Sequence, residues 1–178
     1  MNGVTRRATF GAAISVAVGA LAGCTSPGSA SGSKQLTVGS ASMEPTLMQG
    51  QAVTVDPVTA GKYQPRRQDI VFFHPPASWH GFDTTQVFVS RVIGIPGDTV
   101  YCNGAGLPVV LNGVPLKEPY LYHGDAPSTF NFRAKVPSGR LFLLDDHRSI
   151  AVDCRYQLSD PDNSGYVPIG NVLGIYQA

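Results

Sequence analysis

Short apolar runs separated by glycine and proline constrain the fold of this chain more than any other feature of its sequence. The 178 residues include 20 Gly and 14 Pro, and both residue types interrupt helices and support turns. After residue 34 no stretch keeps a helical period, although Ser42–Met48 has room for a single helical turn. The pattern predicts a mainly all-β domain of antiparallel sheets without parallel β–α–β units.

The predicted strands are dominated by Val, Ile, Phe and Tyr, the residues that fit a pleated sheet. An Asn-Gly pair at 112–113 predicts a hairpin, and Pro-Gly or Pro-Ser-Gly sequences at 96–98 and 137–139 predict turns. The strands are expected at Gln35–Val38, Ala52–Val55, Asp69–Phe73, Val87–Ile95, Thr99–Tyr101, Val109–Leu111, Phe130–Ala134, Leu141–Leu144 and Val172–Tyr176.

Residues 1–23 have the order of an export signal. Arg6 and Arg7 precede an uncharged, largely apolar stretch from Phe10 to Ala22. That stretch is shorter than the roughly 20 residues that a membrane-spanning helix needs. The arginine pair also resembles a twin-arginine export signal. The alternative, a buried core helix, fits the regular charge, apolar and small-residue order less well.

The segment Leu21-Ala22-Gly23-Cys24 resembles the lipobox of bacterial lipoproteins, in which the cysteine is acylated and the chain is cut before it. The resemblance implies a cleaved export signal at 1–23, a lipidated Cys24 with a flexible linker at 24–34, and a folded domain at 35–178. It also implies a lipid-anchored location on the outer face of the cytoplasmic membrane. The alternative is an ordinary secretory signal with an incidental cysteine.

The remaining cysteines and the histidines bear on covalent and metal chemistry. An exported chain meets oxidising conditions, so Cys102 and Cys154 are candidates for a disulfide, with two buried thiols as the alternative. A net charge of +1 gives no support to nucleic-acid binding. No metal site and no cofactor are predicted, because the histidines are scattered: His74, His80, His123 and His147.

Four segments in a fixed order carry the strongest functional signal. Together they resemble the conserved boxes of bacterial signal peptidase I, a family of membrane-bound serine endopeptidases that remove signal peptides. Shorter matches at 111–113, 118–121 and 166–168 extend the resemblance over about residues 36–176. The four segments are Ser42–Leu47 (SMEPTL), Asp69–Phe73 (DIVFF), Arg91–Asp98 (RVIGIPGD) and Asp146–Tyr156 with its DHR and DCRY sequences.

The resemblance implies two antiparallel sheets with a shallow peptide-binding groove and a catalytic serine–lysine pair. Ser42 matches the nucleophile, and Ser40 matches the donor of the oxyanion hole. The bound peptide is expected to be extended, with small residues before the cleaved bond. Four charged residues match the frame of the last box and are interpreted as structural ion pairs: Asp146, Arg148, Asp153 and Arg155.

Two departures from the family pattern affect catalysis. The lysine position holds Ser90, and the serine that orients the lysine in the family falls at Ala151. A serine hydroxyl is a poor base at neutral pH, so Ser90 could act only by relay through a water or a partner residue. His147 in the last box is the remaining candidate base, with an ordinary turn histidine as the alternative. The acidic pairs Asp145-Asp146 and Asp160/Asp162 are interpreted as solvated turn residues, with a cation site as the alternative.

Three functions remain open from the sequence. The first is an active endopeptidase acting on the signal peptides of exported preproteins, which family resemblance favours. The second is a pseudoprotease that binds signal peptides or an active signal peptidase paralogue, which Ser90 and Ala151 favour. The third is an unrelated structural lipoprotein. The loop at 75–82 carries Trp79 and is expected to pack on the sheet, with membrane contact as the alternative.

Overall fold

The computed structural model describes residues 32–160 and 164–177, so the predicted export signal and Cys24 lie outside the described residues. The described part contains one α-helix, α1 (Cys154–Ser159), and 3-10 turns at Ala41–Met43 and Ile169–Asn171. Its strands are β1 (Lys34–Thr37), β2 (Ala52–Pro57), β3 (Ile70–Phe73), β4 (Phe88–Gly94), β5 (Thr99–Cys102), β6 (Val110–Leu111), β7 (Val114–Pro115), β8 (Phe132–Lys135), β9 (Arg140–Leu144), β10 (Val167–Pro168) and β11 (Val172–Tyr176).

The strands form two antiparallel sheets. The larger sheet has seven strands in the order β1-β2-β11-β3-β4-β9-β10, and the smaller has four in the order β7-β6-β5-β8. Every strand pairing in both sheets is antiparallel. The all-β prediction with antiparallel sheets is therefore confirmed.

Strand β3 is buried on both faces, which explains its unbroken apolar sequence. Val71 and Phe73 point into the main core, whereas Ile70 and Phe72 point into a second cluster on the opposite face. Alternate residues of a strand face opposite sides of a sheet, so a strand between two cores is apolar throughout. The second cluster also contains residues that precede and follow Ser42 in the sequence.

The predicted strands are found within one or two residues of their expected positions. The sequence did not indicate α1 or the two-residue strand β10. The helix spans only six residues, too few for a visible helical period. Asp153 begins it by accepting a hydrogen bond from the Arg155 N–H, the usual role of an aspartate at an N-cap.

The disulfide predicted between Cys102 and Cys154 is not formed, because both are free, buried thiols. Cys102 lies on β5, and its thiol donates to the carbonyl oxygens of Gly104 (3.0 Å) and Leu107 (3.3 Å). Cys154 begins α1, and its sulfur accepts from the Leu143 N–H at 3.2 Å. Burial raises the pKa of Cys154 well above its usual value, which keeps the thiol protonated.

The Trp79 loop packs on the sheet, as expected. Trp79 is 3% exposed and makes edge-to-face contacts with Phe73 and Phe82 at centroid distances of 6.1 Å and 6.4 Å. These rings also line the groove described below. Within the described part of the chain, none of the helices has the length and apolar character needed to cross a membrane.

Candidate active site

Ser42 lies on a short 3-10 turn that the second core cluster holds in place. The turn covers Ala41–Met43, and both Met43 and Leu47 are completely buried. Leu47 N–H donates to the Met43 carbonyl at 2.9 Å, which closes the next turn of the chain. The apolar residues of the SMEPTL segment therefore anchor the backbone, and the half-buried Ser42 side chain is left facing the groove.

The register between β4 and β9 brings a carboxylate beside Ser90. Arg91 on β4 pairs with Leu144 on β9, so the preceding residue of β4 lies opposite Asp145, which follows β9. Directly opposed residues of antiparallel strands have side chains on the same face. The Ser90 hydroxyl donates a short hydrogen bond to Asp145 Oδ1, and both residues are buried.

Three hydroxyls and this carboxyl form a polar cluster that lines one groove as two hydrogen-bonded pairs. The Ser40 and Ser42 hydroxyl oxygens are 3.1 Å apart. The Ser42 hydroxyl lines the same groove as the Asp145 carboxyl, to which Ser90 donates. The structure therefore brings together Ser40, Ser42 and Ser90, and it adds Asp145, a residue that the sequence interpretation treated as solvated.

Burial makes Asp145 an unusual acid. Loss of hydration, with a smaller contribution from the Asp153 charge, raises the pKa of Asp145 to about 7. Hydrogen bonds from the Ser90 and Ser42 hydroxyls oppose the rise by stabilising the ionised form. A carboxyl with such a pKa exchanges a proton readily near neutral pH.

The cluster opens into an apolar groove of about 440 Å³. Val87, Ile150 and Val152 are substantially exposed in its lining, although they are apolar. Grooves that bind ligands combine such apolar walls with a few polar groups. The aromatic and aliphatic lining consists of Phe73, Trp79, Phe82, Val87, Phe88, Val89, Ile150 and Val152, and the polar lining includes Ser40, Ser42, Ser90, Asp145 and Asp153.

Two ion pairs that contain residues of the predicted frame lie next to the cluster. Asp153 Oδ2 accepts from the Asp145 N–H at 3.2 Å and pairs with Arg155 at 2.8 Å. Arg148 Nε donates to the Asp145 carbonyl oxygen at 2.7 Å, and its Nη2 pairs with Glu118 at 2.5 Å. These contacts fix the backbone of Asp145 from both sides.

Asp146 faces the other way and joins the frame to β4. Its carboxylate accepts two hydrogen bonds from Arg91, at 2.9 Å and 2.6 Å, and another from the Thr46 hydroxyl. The interpretation of Asp145 and Asp146 as solvated turn acids is therefore wrong, because Asp145 is 6% and Asp146 0% exposed. Asp160 is half-buried, and Asp162 lies outside the described residues.

His147 contacts the backbone of the nucleophile turn. The backbone N–H of His147 donates to the Ser42 carbonyl oxygen at 2.9 Å, and the ring Nδ1 is 3.2 Å from the Ala41 carbonyl oxygen. The imidazole stacks on Tyr122 with ring centroids 3.7 Å apart. These contacts hold the turn and direct Nδ1 to the backbone. Ala151 is half-buried between Ile150 and Val152 of the groove.

Three hydroxyls and a buried carboxyl therefore meet in a groove of an all-β fold, and comparison with known proteins specifies the family. The profile of the family described as "Signal peptidase, peptidase S26" matches residues 10–178. The chain is 36% identical over 136 residues to a probable signal peptidase I-1 of Synechocystis sp., covering 75% of this chain and 63% of the relative.

A second curated relative and a solved structure are also similar to the chain. A probable signal peptidase I of Mycobacterium leprae is 32% identical over 186 residues, covering 76% of this chain and 64% of the relative. A crystal structure of a signal peptidase I from Enterococcus faecalis V583 is similar at 26% identity and a TM-score of 0.46, covering 65% of this chain and 98% of that one. The chain belongs to the signal peptidase, peptidase S26, family. It spans less than two thirds of the length of the two relatives.

Proposed function

We propose that this chain is a serine endopeptidase that cleaves the signal peptides of exported preproteins, with Ser42 as the nucleophile. The observation that carries the proposal is the Ser42 hydroxyl in the groove, 3.1 Å from the Ser40 hydroxyl and in the same lining as the Asp145 carboxyl. A nucleophilic serine needs a hydrogen-bonded partner that accepts its proton. Family membership supports the same reaction.

The groove supports the proposed substrate class. Its apolar walls suit an extended peptide with small or apolar side chains, and they disfavour charged side chains beside the cleaved bond. In the proposed reaction Ser42 Oγ attacks the peptide carbonyl carbon, and the Ser40 hydroxyl donates to the oxygen that becomes negative. A donor of this kind contributes about 10²- to 10³-fold to the rate.

The proposed location is the outer face of the cytoplasmic membrane, with a lipid on Cys24. The lipobox-like sequence before Cys24 supports it. Labelling of cells with an alkyne fatty acid should mark the wild-type chain and leave Cys24→Ser unmarked. Equal labelling of both chains would contradict the anchor without affecting the peptidase proposal.

The experiment for the peptidase proposal uses the full chain in detergent with a fluorogenic peptide that carries an Ala-X-Ala site. Wild type and Ser138→Ala, an exposed turn position, should cleave the peptide, whereas Ser42→Ala should lose activity by up to roughly 10⁶-fold. Mass spectrometry of the products should place the cut after the second alanine.

The second candidate is a peptide-binding protein that does not cut. Serine at position 90 and alanine at 151, where the family resemblance places a lysine and its orienting serine, favour it. The same peptide would then bind wild type and Ser42→Ala with equal affinity in a fluorescence anisotropy titration, and neither would release product. That outcome would overturn the peptidase proposal.

A further inference from the structure

We propose that Asp145 is the general base of this site and that Ser90 is the residue that positions it. The proposal rests on the proposed function, since it names the group that activates Ser42. Strands β4 and β9 are neighbours, and Asp145 at the end of β9 lies opposite position 90 on β4, where the family resemblance expects a lysine. Neither a lysine nor a histidine is then needed at the nucleophile.

The first argument is placement. The pairing of Arg91 with Leu144 sets Asp145 opposite Ser90. The carboxyl accepts from the Ser90 hydroxyl and lines the same groove as the Ser42 hydroxyl. The carboxyl therefore lies beside residue 90 and in the groove of the proposed nucleophile. Asp145 is also part of the groove lining.

The second argument is the direction of the hydrogen bonds. An ionised carboxyl can only accept, and each serine hydroxyl has a single proton to donate. Ser90 therefore donates to Asp145. When a substrate oxygen engages the Ser40 hydroxyl, Ser42, which is 3.1 Å from Ser40 in the free site, donates to the same carboxylate. In that arrangement the carboxylate is the acceptor of the Ser42 proton, and a lone pair of the Ser42 oxygen remains free for attack.

The third argument is the electrostatic surrounding of the carboxyl, which α1, β4 and the nucleophile turn supply. Burial and a neighbouring negative charge raise the pKa of Asp145 to about 7, where a general base is most effective at neutral pH. The groups that face or border Asp145 are Asp153, Arg155 and Cys154 from α1 and its cap, Ser90 from β4, Ser42 from the turn, and Arg148 at its carbonyl oxygen.

The proton balance is complete without another reactant except water. Asp145 takes the Ser42 proton as Oγ bonds to the substrate carbonyl carbon, and the protonated carboxyl then gives that proton to the leaving amine as the peptide bond breaks. A water molecule attacks the resulting ester and passes one proton to Asp145. Asp145 returns it to Ser42 Oγ when the ester bond breaks and the new carboxylic acid leaves.

Ser90 acts through Asp145. Its hydroxyl holds Oδ1 in place and stabilises the ionised carboxyl, so its loss raises the pKa of Asp145. The acidic limb of the kcat/KM profile should therefore move to higher pH in Ser90→Ala. A residue that only supported packing would lower the rate without moving the limb. Ser138→Ala is the matched control.

The experiment measures Ser42-dependent peptide cleavage and the rate at which a fluorophosphonate labels Ser42, both from pH 5 to pH 9. Wild type should show an acidic limb controlled by one group near pH 7. Asp145→Asn keeps the shape of the side chain but cannot take up a proton, and it should lower both rates by about 10²- to 10⁴-fold. Asp56→Asn, on the exposed face of β2, should leave both rates unchanged.

The outcomes separate the two proposals. Unchanged cleavage and labelling in a folded Asp145→Asn would overturn the base assignment and leave the peptidase proposal intact. Wild-type cleavage and labelling rates that do not change from pH 5 to pH 8 would also overturn the base assignment, even if Asp145→Asn failed to fold. The absence of both cleavage and labelling in wild type would overturn the two proposals together.

Discussion

The Arg91–Asp146 pair shows how single residues of the last box support the site. Both side chains are almost completely buried, and two hydrogen bonds join them in parallel. The Arg91 guanidinium also lies 4.0 Å from the ring centre of Tyr120. Because Arg91 is the neighbour of Ser90 and Asp146 the neighbour of Asp145, this pair fixes the backbone beside both members of the polar cluster.

Removing one member of this pair should be costly. Asp146→Ala leaves the Arg91 charge buried without its carboxylate, and we expect a loss of about 3–5 kcal/mol in the free energy of unfolding, measured by urea denaturation. Asp56→Ala, at an exposed position, should change that free energy by no more than about 0.5 kcal/mol.

A double variant separates the charge effect from lost packing. Arg91→Met combined with Asp146→Ala removes both charges and should recover part of the stability. A double variant that is as unstable as the sum of the single variants would contradict the interpretation of a buried ion pair.

At the scale of elements, the turn between β4 and β5 depends on Asp98. Its carboxylate accepts from Arg67 Nε and Nη2 at 2.9 Å and 2.7 Å, from the Ile95 N–H at 2.9 Å and from Asn112 Nδ2 at 2.8 Å. The turn connects a strand of the large sheet to a strand of the small one, so this carboxylate ties the two sheets together.

The contribution of the Asp98 carboxylate should be visible in how the free energy of unfolding changes with pH. Burial alone would raise the pKa of Asp98, but the hydrogen bonds from Arg67, Ile95 and Asn112 lower it to about 2. Because the pKa is lower in the folded state, the stabilisation is complete above about pH 4 and is lost as the pH falls toward 2. The expected size is roughly 1–2 kcal/mol, since Arg67 is partly exposed and its charge is screened.

Urea denaturation of Asp98→Asn tests this expectation. The variant should be less stable than wild type at pH 6, and the difference should shrink between pH 4 and pH 2. A difference that stays constant over that range would show that the ionised carboxyl contributes nothing.

Strand β11 passes so close to β2 that it needs a glycine. A Cβ added at Gly174 would lie 2.4 Å from Val55 Cγ1 and 2.7 Å from the Asp56 carbonyl oxygen. Gly174→Ala should therefore reduce the free energy of unfolding by about 1–3 kcal/mol, measured by thermal and urea denaturation. Gly170→Ala has open space around its Cβ and serves as the control. Equal stability of the two variants would contradict the close approach.

At the scale of the whole molecule, the buried Asp145 carboxyl should lower the free energy of unfolding at neutral pH. The raised pKa of Asp145 means that the folded state binds its proton more tightly than the unfolded state does. Stability should then decrease as the pH rises from about 4 to about 7, by at most about 1.4 kcal/mol per pH unit. Groups arranged for catalysis often reduce stability in this way.

Asp145→Asn removes this titration. Relative to wild type, the variant should gain stability as the pH rises from 4.5 to 8, although it should lose activity. Urea denaturation at four pH values in that range, with Asp56→Asn as the control, measures the effect. Parallel stability profiles of wild type and Asp145→Asn would show that the folded chain does not raise the pKa of this carboxyl.

The strands and turns were predictable because their signals are local. Alternating or continuous apolar runs between glycine and proline located β1 to β6, β8, β9 and β11 to within two residues. Helix α1 was missed, since six residues show no period and the cap at Asp153 is one ordinary aspartate. The predicted disulfide was wrong because sequence spacing carries no information about the distance between two sulfur atoms.

The sequence by itself determined the all-β class, the order of the boxes and the presence of Ser40, Ser42 and Ser90, because these depend on residue types and their order along the chain. Only the tertiary structure decided which groups surround Ser42. The register of β4 against β9 and the burial of the residues after β9 bring Asp145 against the Ser90 hydroxyl and into the groove of Ser42. A strand register depends on pairing between distant segments, so an aspartate that reads as a solvated turn residue became the candidate base.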